Sequence, residues 1–425
     1  MKKLLSLLLC LLLLCGCARE PKPTEPTEEP TQGVVEVNMA TEPPVLKYEG
    51  VQLQYLSLLN ENAPEARVLQ LAAAEFEQTT GAKVELKWLG GNEAALTQTL
   101  SGKEKPDLFE ASGSTMEALK DQALDLTKLA EAAGFEEKSW EVLRKQILER
   151  CGTLKAVAIR PTLYGLYYNQ EVFEIMAVQT PPSTWEEYVS LCQTLKGQNY
   201  ECLVIDQERS HIVLELMMER ALGWEGIRKT MLEEAWRTNE MGLTMIQEAI
   251  NFAENGYLVK GTPASFPNGQ NRLGHSNAVF VAGPTDLCNE VEQACLADMN
   301  WGVMPHPGNG PGSGLLVDAD VVAISTDCTN PEAAFSFAQL VTTGGYDQLR
   351  ADVSVGIPAD PRNSSVIFGA NDCMAKATPK APRWFNPGHS ELFCRLWNGY
   401  YKTGKYFAGQ LNEVSHDFDN EKSVG

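Results

Sequence analysis

The residue types from which catalysis or metal binding could be built are present, but their spacing does not assemble them. The histidines, His211, His275, His306, His389 and His416, stand far apart, and no two share the helical spacing of a zinc-ligand pair. Gly274-His275-Ser276-Asn277-Ala278 has part of the Gly-x-Ser-x-Gly pattern that carries a nucleophile. Such a turn must follow a strand and enter a helix, whereas this one leads into an apolar, strand-like run, and turn-forming residues account for it better. Gly310-Pro311-Gly312-Ser313-Gly314 has the glycines of a phosphate loop without its lysine or its helix. Glu186 with Glu187, and Glu233 with Glu234, are neighbours in helical stretches and point to different faces, so neither forms a carboxylate pair. Beyond the first 17 residues the cysteines are Cys151, Cys192, Cys202, Cys288, Cys295, Cys328, Cys373 and Cys394, with no C-x-x-C spacing that would mark a zinc site. Cys192 and Cys202 are the closest-spaced pair able to bridge, free buried thiols are the alternative, and the sequence leaves both open. No enzymatic activity, metal or cofactor is expected.

The N-terminus carries chemistry of another kind. Met1-Lys2-Lys3 is a short basic region, and Leu4 to Leu14 is an apolar run well short of the ~20 residues of a spanning helix. It has the form of a secretory segment removed on export. Leu14-Cys15-Gly16-Cys17 resembles the lipobox of bacterial lipoproteins: a small residue precedes the cut, and the thiol of Cys17 takes a diacylglyceryl group. An ordinary cleaved signal peptide is the plainer alternative. Each buried methylene adds about 0.8 kcal/mol, so two or three chains make a durable anchor. Residues 1–16 then form the signal peptide. The Pro/Thr/Glu-rich stretch 17–47 forms the anchored linker, too polar to fold and kept extended by its prolines. The expected location is the outer face of the cell membrane.

The rest of the 425-residue chain is too long for one compact core and predicts two lobes. A formal charge of −21, more negative once Lys2 and Lys3 are gone, opposes binding to nucleic acid or to anionic lipid surfaces.

Elements alternate along the folded part. Gln52 to Leu58 reads as a strand, and Glu65 to Thr79 as a helix with Val68, Leu71, Ala72 and Phe76 on one face and Gly81 just past its end. Strand Lys83 to Trp88, helix Glu93 to Ser101 and strand Asp107 to Glu110 follow. Later come strands at Tyr164 to Tyr168, Cys202 to Asp206, Ala278 to Val281, Trp301 to Met304 and Val321 to Ser325. The helices between and after them include one capped by Thr184 and Glu187, Ile212 to Ala221, part of Ile227 to Asn255, Asp286 to Ala297, and Pro331 to Thr342. This alternation predicts an α/β fold with a mainly parallel sheet.

Several stretches, in order, resemble the family 1 extracellular solute-binding proteins of bacterial ABC importers, the group that includes maltose-binding proteins. They are Phe76-Glu77-Gln78-Thr79-Thr80-Gly81, Pro106-Asp107-Leu108-Phe109, Tyr167-Tyr168-Asn169-Gln170-Glu171-Val172-Phe173, Pro181-Pro182-Ser183-Thr184-Trp185, Asn330-Pro331-Glu332-Ala333-Ala334 and Gly356-Ile357-Pro358-Ala359. The resemblance runs from about Tyr48 to His416. It implies a two-lobed, class II periplasmic-binding-protein-like fold around a central ligand cleft. The first lobe would take 48–159 with 316–355 and the second 160–315 with 356–418, leaving 419–425 as a tail. Crossings would fall near Arg160 to Thr162, Leu315 to Val317 and Ser354 to Pro358. The implied function is hinge closure on a small polar solute, first a mono- or oligosaccharide, and delivery by a monomer to permease subunits. A polyol phosphate, a surface receptor or sensor role, and a surface hydrolase are the rivals.

Carried over position by position, the family's ligand loops fall on Asn60 and Glu61, on Ser112 and Ser114, on Thr162, on His211, on Thr285 and Asp286, and on Asp318. A solvated loop residue is the alternative at each. Tyr164 and Trp384 add aromatic faces for a sugar ring, whereas Trp185, Trp88, Trp224 and Trp301 read as packing. Gly283-Pro284-Thr285 lacks the ring that sugar binders of the family often carry there.

Overall fold

Local signals in the sequence set most of the elements. The computed structural model describes residues 46–380, apart from 233–239, 260, 263 and 276. Cys17 with the linker, Trp384 and Cys394 lie outside the described residues. The first helix, Pro64–Thr80, starts on a proline and stops at Gly81, whose φ of 81° is the left-handed value that glycine adopts without strain. Val68, Ala72 and Phe76 are buried as expected, but Leu71 is 41 % exposed while Leu69 and Ala73 are buried in its place. Leu71 lies roughly 60° outside the arc from Val68 to Leu69 at 100° per residue, on the solvent side. The helix Trp185–Gly197 opens with the expected capping box: Glu187 N–H donates to Thr184 Oγ1 and Thr184 N–H donates to the Glu187 carboxylate, both at 3.2 Å.

The strands are β1 (Gln52–Ser57), β2 (Lys83–Trp88), β3 (Leu108–Ser112), β4 (Ala156–Asn169), β5 (Glu201–Val204), β6 (Ala278–Gly283), β7 (Trp301–Met304), β8 (Leu316–Ile324) and β9 (Thr378–Pro379). They pair in the order β2-β1-β3-β8-β4-β6-β5, with β7 also on β4 and β9 on β8. The sheet is mixed, which corrects the mainly parallel expectation. β1 is parallel to β2 and β3, and β5 is parallel to β6, but β8 and β4 enter antiparallel. Alternating strands and helices report the parallel units and are silent about a long strand that returns from far along the chain.

β4 joins the two lobes. Its first part, through Tyr164, pairs with β8, and from Gly165 it pairs with β6 and β7. The crossing expected near Arg160 to Thr162 therefore lies inside an unbroken strand. A side chain at Gly165 would press on Val303, so the change of partner needs a glycine. β4 and β8 begin earlier than the expected starts at Tyr164 and Val321: each opens on apolar residues, Ala156 to Ile159 and Leu316 to Val317, and then carries Arg160, Asp318 and Asp320, which neutralise one another or nearby charges.

One core gathers Tyr55, Phe76 and Phe337, whose rings meet edge-on at 5.6 and 5.3 Å. A second surrounds Tyr188, Phe252 and Phe280. A third, with Leu163, Tyr167, Trp301, Val317 and Ile357, lies along the middle of β4 and the start of β8. Among the described residues, no helix is long and apolar enough to cross a membrane.

Candidate functional site

Parallel strands bring the loops after them to a shared edge, where α/β proteins bind ligands. In the first lobe β1 and β3 run parallel, with Tyr55 opposite Leu108, so the loop holding Asn60 and Glu61 and the turn of Ser112 and Ser114 leave the same edge. In the second, β5 and β6 run parallel, with Val204 opposite Val281, which brings the His211 loop and the Thr285–Asp286 turn together.

A buried charge fixes the first edge. Glu110, fully buried on β3, accepts from Tyr55 Oη (2.8 Å), Ser57 Oγ (2.9 Å), the Leu58 N–H (2.8 Å) and Arg160 Nη2 (2.7 Å). Arg160 Nε also donates to Asp320 at 3.0 Å. Burial works to raise the Glu110 carboxyl, but Arg160 and the donated bonds hold it below its ordinary value. Beyond this node Asn60 and Glu61 are exposed, with Asn60 Oδ1 accepting from the Asn62 N–H at 3.1 Å. Glu93 accepts from the Ser112 N–H (2.8 Å) and Thr115 Oγ1 (2.6 Å), and the Ser112 and Ser114 hydroxyls meet at 3.1 Å. Between them, a Cβ on Gly113 would overlap Arg150 Nη1 and Asp318 Oδ1, so this turn sits directly on that ion pair.

The polar groups converge beside β4. Asp318 takes Arg150 Nη2 at 3.1 Å and lies opposite Thr162 in the β4–β8 ladder. Lys380 Nζ stands 4.2 Å over the Tyr164 ring and donates to Glu215 at 3.0 Å. His211 Nε2 is 4.0 Å from the same carboxylate. Asp286 precedes the helix Leu287–Cys295 as its N-cap, without a side-chain capping bond, and is exposed. Tyr164, His211, the cations Arg150 and Lys380 and three carboxylates thus surround one place, suited to orienting a polar solute by hydrogen bonds. Among the described residues no group of three or more His, Cys, Asp or Glu side chains is arranged to hold a metal.

The profile of the bacterial extracellular solute-binding proteins matches residues 61–347, well over half of the chain. The chain belongs to this family. Diacetylchitobiose binding protein NgcE of Streptomyces coelicolor is 28% identical over 152 residues, which are 34% of this chain and 32% of that protein. The chain therefore spans about a third of the length of that curated relative. The bacterial solute receptor AcbH, described as preferring β-D-galactopyranose exclusively, superposes with a TM-score of 0.71 at 13% identity, over 88% of this chain and 98% of its own. RafE from Streptococcus pneumoniae gives 0.67 at 15% identity, over 89% and 98%. These likenesses place this solute-binding protein in the two-lobed periplasmic-binding fold. Family and neighbours are binding proteins, and the family's extracellular character carries an extracytoplasmic location.

Within this solute-binding protein the charges at the cluster tune one another. Burial disfavours the Lys380 ammonium, but Glu215, Tyr164 and Asp318 more than offset it and push its pKa up to about 12. Burial raises the Tyr164 hydroxyl against the opposing pull of Lys380, and burial lowers the His211 imidazole against Glu215. Burial, then Glu290, raises the Asp286 carboxyl, with Arg209 opposing.

Of the residues singled out in the sequence, Thr162, Tyr164, His211, Asp286 and Asp318 come together, and Ser112 and Ser114 adjoin them through Gly113. Asn60 and Glu61 share the edge with Ser112 but no bond joins them to the cluster. Thr285 is buried, its hydroxyl accepting from the Leu163 N–H and bonding Tyr167 Oη, both at 2.9 Å. Trp384 lies outside the described residues. Trp185 packs on Tyr188, Phe252 and His306, and Trp301 is buried with Nε1 donating to Glu292, as packing residues should. The described cysteines are free; Cys202 Sγ lies 3.3 Å from the Cys192 carbonyl oxygen.

Lys380, Arg150 and Glu215 were missed. Glu215 and Glu219 had a readable signal: two carboxylates four apart, in line with His211, inside the otherwise apolar run His211-Ile212-Val213-Leu214-Glu215-Leu216-Met217-Met218-Glu219. An opening of about 580 Å³ lies elsewhere on the second lobe, between Pro182, Arg220, Met304, Phe368 and Lys376. Volume and polar convergence therefore disagree. Convergence is the better guide here, because a groove between lobes is open to solvent and encloses little.

Proposed function

We propose that this protein captures a neutral carbohydrate at the Tyr164–Lys380 cluster, closes its lobes over it, and delivers it to the permease of an ATP-driven importer. The lobes of this reading are 48–159 with 316–355 and 160–315 with 356–418. It works as a monomer, by binding and not by catalysis, held at the outer face of the membrane through a lipid on Cys17. The observation that carries the reading is the convergence of an aromatic ring, Tyr164, with carboxylates at Asp286 and Asp318 and a cation at Lys380. A ring covers the apolar face of a sugar, and charged acceptors make the stronger bonds to its hydroxyls. Family membership and relatives described as binding diacetylchitobiose and galactopyranose support the carbohydrate class.

A phosphorylated or carboxylated solute is the second reading, favoured by Arg150 and Lys380. Both cations already face carboxylates, Asp318 and Glu215, which leaves little positive charge for an anion.

A thermal-shift screen of neutral oligosaccharides, polyols and sugar phosphates separates the two. Ligand at ~100 times its dissociation constant adds about 2.7 kcal/mol to stability, a rise of several degrees in midpoint. Neutral sugars are expected to raise it; a response to anions alone would overturn the carbohydrate reading. For the anchor, Cys17→Ser should move the protein from the membrane fraction to the soluble one, and retention with membranes would contradict lipidation.

A further inference from the structure

The short strand β9 and Lys380 after it are held from both lobes. Along β8, the Thr378 N–H donates to Leu315 O (3.1 Å) and the Lys380 N–H to Val317 O (2.7 Å). From one side the helix Glu141–Cys151, whose Ile147 and Cys151 lie in the first core, reaches across. Its Gln146 Nε2 donates to Val317 O (3.0 Å) and Lys380 O (3.2 Å), and its Arg150 Nη2 also donates to Lys380 O. From the other side comes the helix His211–Leu232, whose Leu214, Leu216 and Met218 lie in the second core. Its Glu215 takes Lys380 Nζ at 3.0 Å, and its Glu219 takes Thr378 Oγ1 at 2.8 Å. Glu215 and Glu219 are fully buried. Carboxylates in an apolar helix persist only where partners compensate their desolvation, and the partner here, the segment Thr378 to Lys380, is the one that the first lobe's Gln146 and Arg150 also hold.

We propose that Lys380 is a positioning residue that couples the lobes: its ion pair with Glu215, opposite its backbone bonds to Gln146 and Arg150, fixes the angle at which the solute-free lobes meet. β4, β8 and the crossing near Ser354 to Pro358, where Trp140 Nε1 donates to Pro358 O at 2.9 Å, join the lobes through backbone that can still bend and twist. A further tie on the flank of β8, anchored in both cores, restricts that motion to one direction. The width of the empty cleft is then set in part by a bond that need not touch solute.

The coupling is read without any solute, so the result stands whether or not the ligand is a sugar. Spin labels carried on unnatural residues at exposed positions Gln98 and Gln193, one in each lobe, report the distance between lobes in the full chain. The wild type should give one narrow distribution, and Lys380→Arg should reproduce it. Glu215→Gln, and the double variant Glu215→Met with Lys380→Met, should shift the mean or add a second population. A folded Glu215→Gln protein whose distribution superposes on the wild type would overturn the proposal. Should both variants fail to fold, hydrogen exchange on the wild type decides. The Lys380 amide should exchange as slowly as those of β8, and exchange at the rate of a free loop would refute the tie.

Discussion

Glu110 in the first lobe and Glu219 in the second are both fully buried carboxylates that accept several hydrogen bonds, yet they solve different problems. The donors to Glu110 come from β1, the residue after it, and β4, all within one sheet and one core, and the charge is matched by Arg160. The donors to Glu219 are neutral and come from remote chain: the Ser313 N–H at 3.2 Å, Ser313 Oγ at 3.1 Å, the Gly314 N–H, and Thr378 Oγ1 at 2.8 Å. Arg220 beside it clamps the same loop through Gly308 O (2.9 Å) and Gly312 O (2.7 Å). A Cβ on Gly310 or Gly312 would overlap the carbonyl oxygens of Arg220 or Glu219, so glycine is what lets this loop lie on the helix. The helix breaks at Gly223 (φ 63°), and the Arg220 carbonyl finds the Gly312 N–H at 3.2 Å. One node makes a lobe rigid; the other ties segments that would otherwise move separately.

That contrast predicts unequal effects. Glu110→Ala leaves Arg160 buried with only Asp320 to face it, and should cost about 3–5 kcal/mol in denaturant unfolding. Glu219→Gln keeps the shape but turns an NH2 toward two of the four neutral donors, so about 1–3 kcal/mol is expected. Its more telling result is local: amides at Gly312, Gly314 and Thr378 should exchange faster while those of β3 do not. Equal losses for the two variants, with exchange raised throughout, would erase the distinction.

The same contrast explains what could be read in the sequence. The capping box at Thr184, the stop at Gly81, and the bounds of β2, β7 and the helix Pro331–Thr342 follow from residues within a turn or two of each other. The loops after the parallel strands follow their strands directly, and His211 and Asp286 were named by carrying the family's ligand loops onto them position by position. The antiparallel entry of β8 was not legible, because no local pattern records which distant strand it meets. Lys380 was invisible for the same reason: it is 165 positions from Glu215 and carries no motif. Thr285 shows the opposite limit. A polar residue at a ligand-loop position is spent instead on Leu163 and Tyr167, a choice made by packing that the sequence does not display.

Capture by closure of two lobes is the central claim. Its most direct test is small-angle scattering on the soluble protein, with and without a neutral saccharide that raises the thermal midpoint. Only the closed state offers the solute contacts from both lobes, so binding should draw the equilibrium toward it. The account predicts a smaller radius of gyration at saturation, reversed on removing the sugar. An unchanged scattering profile under verified saturation would contradict it.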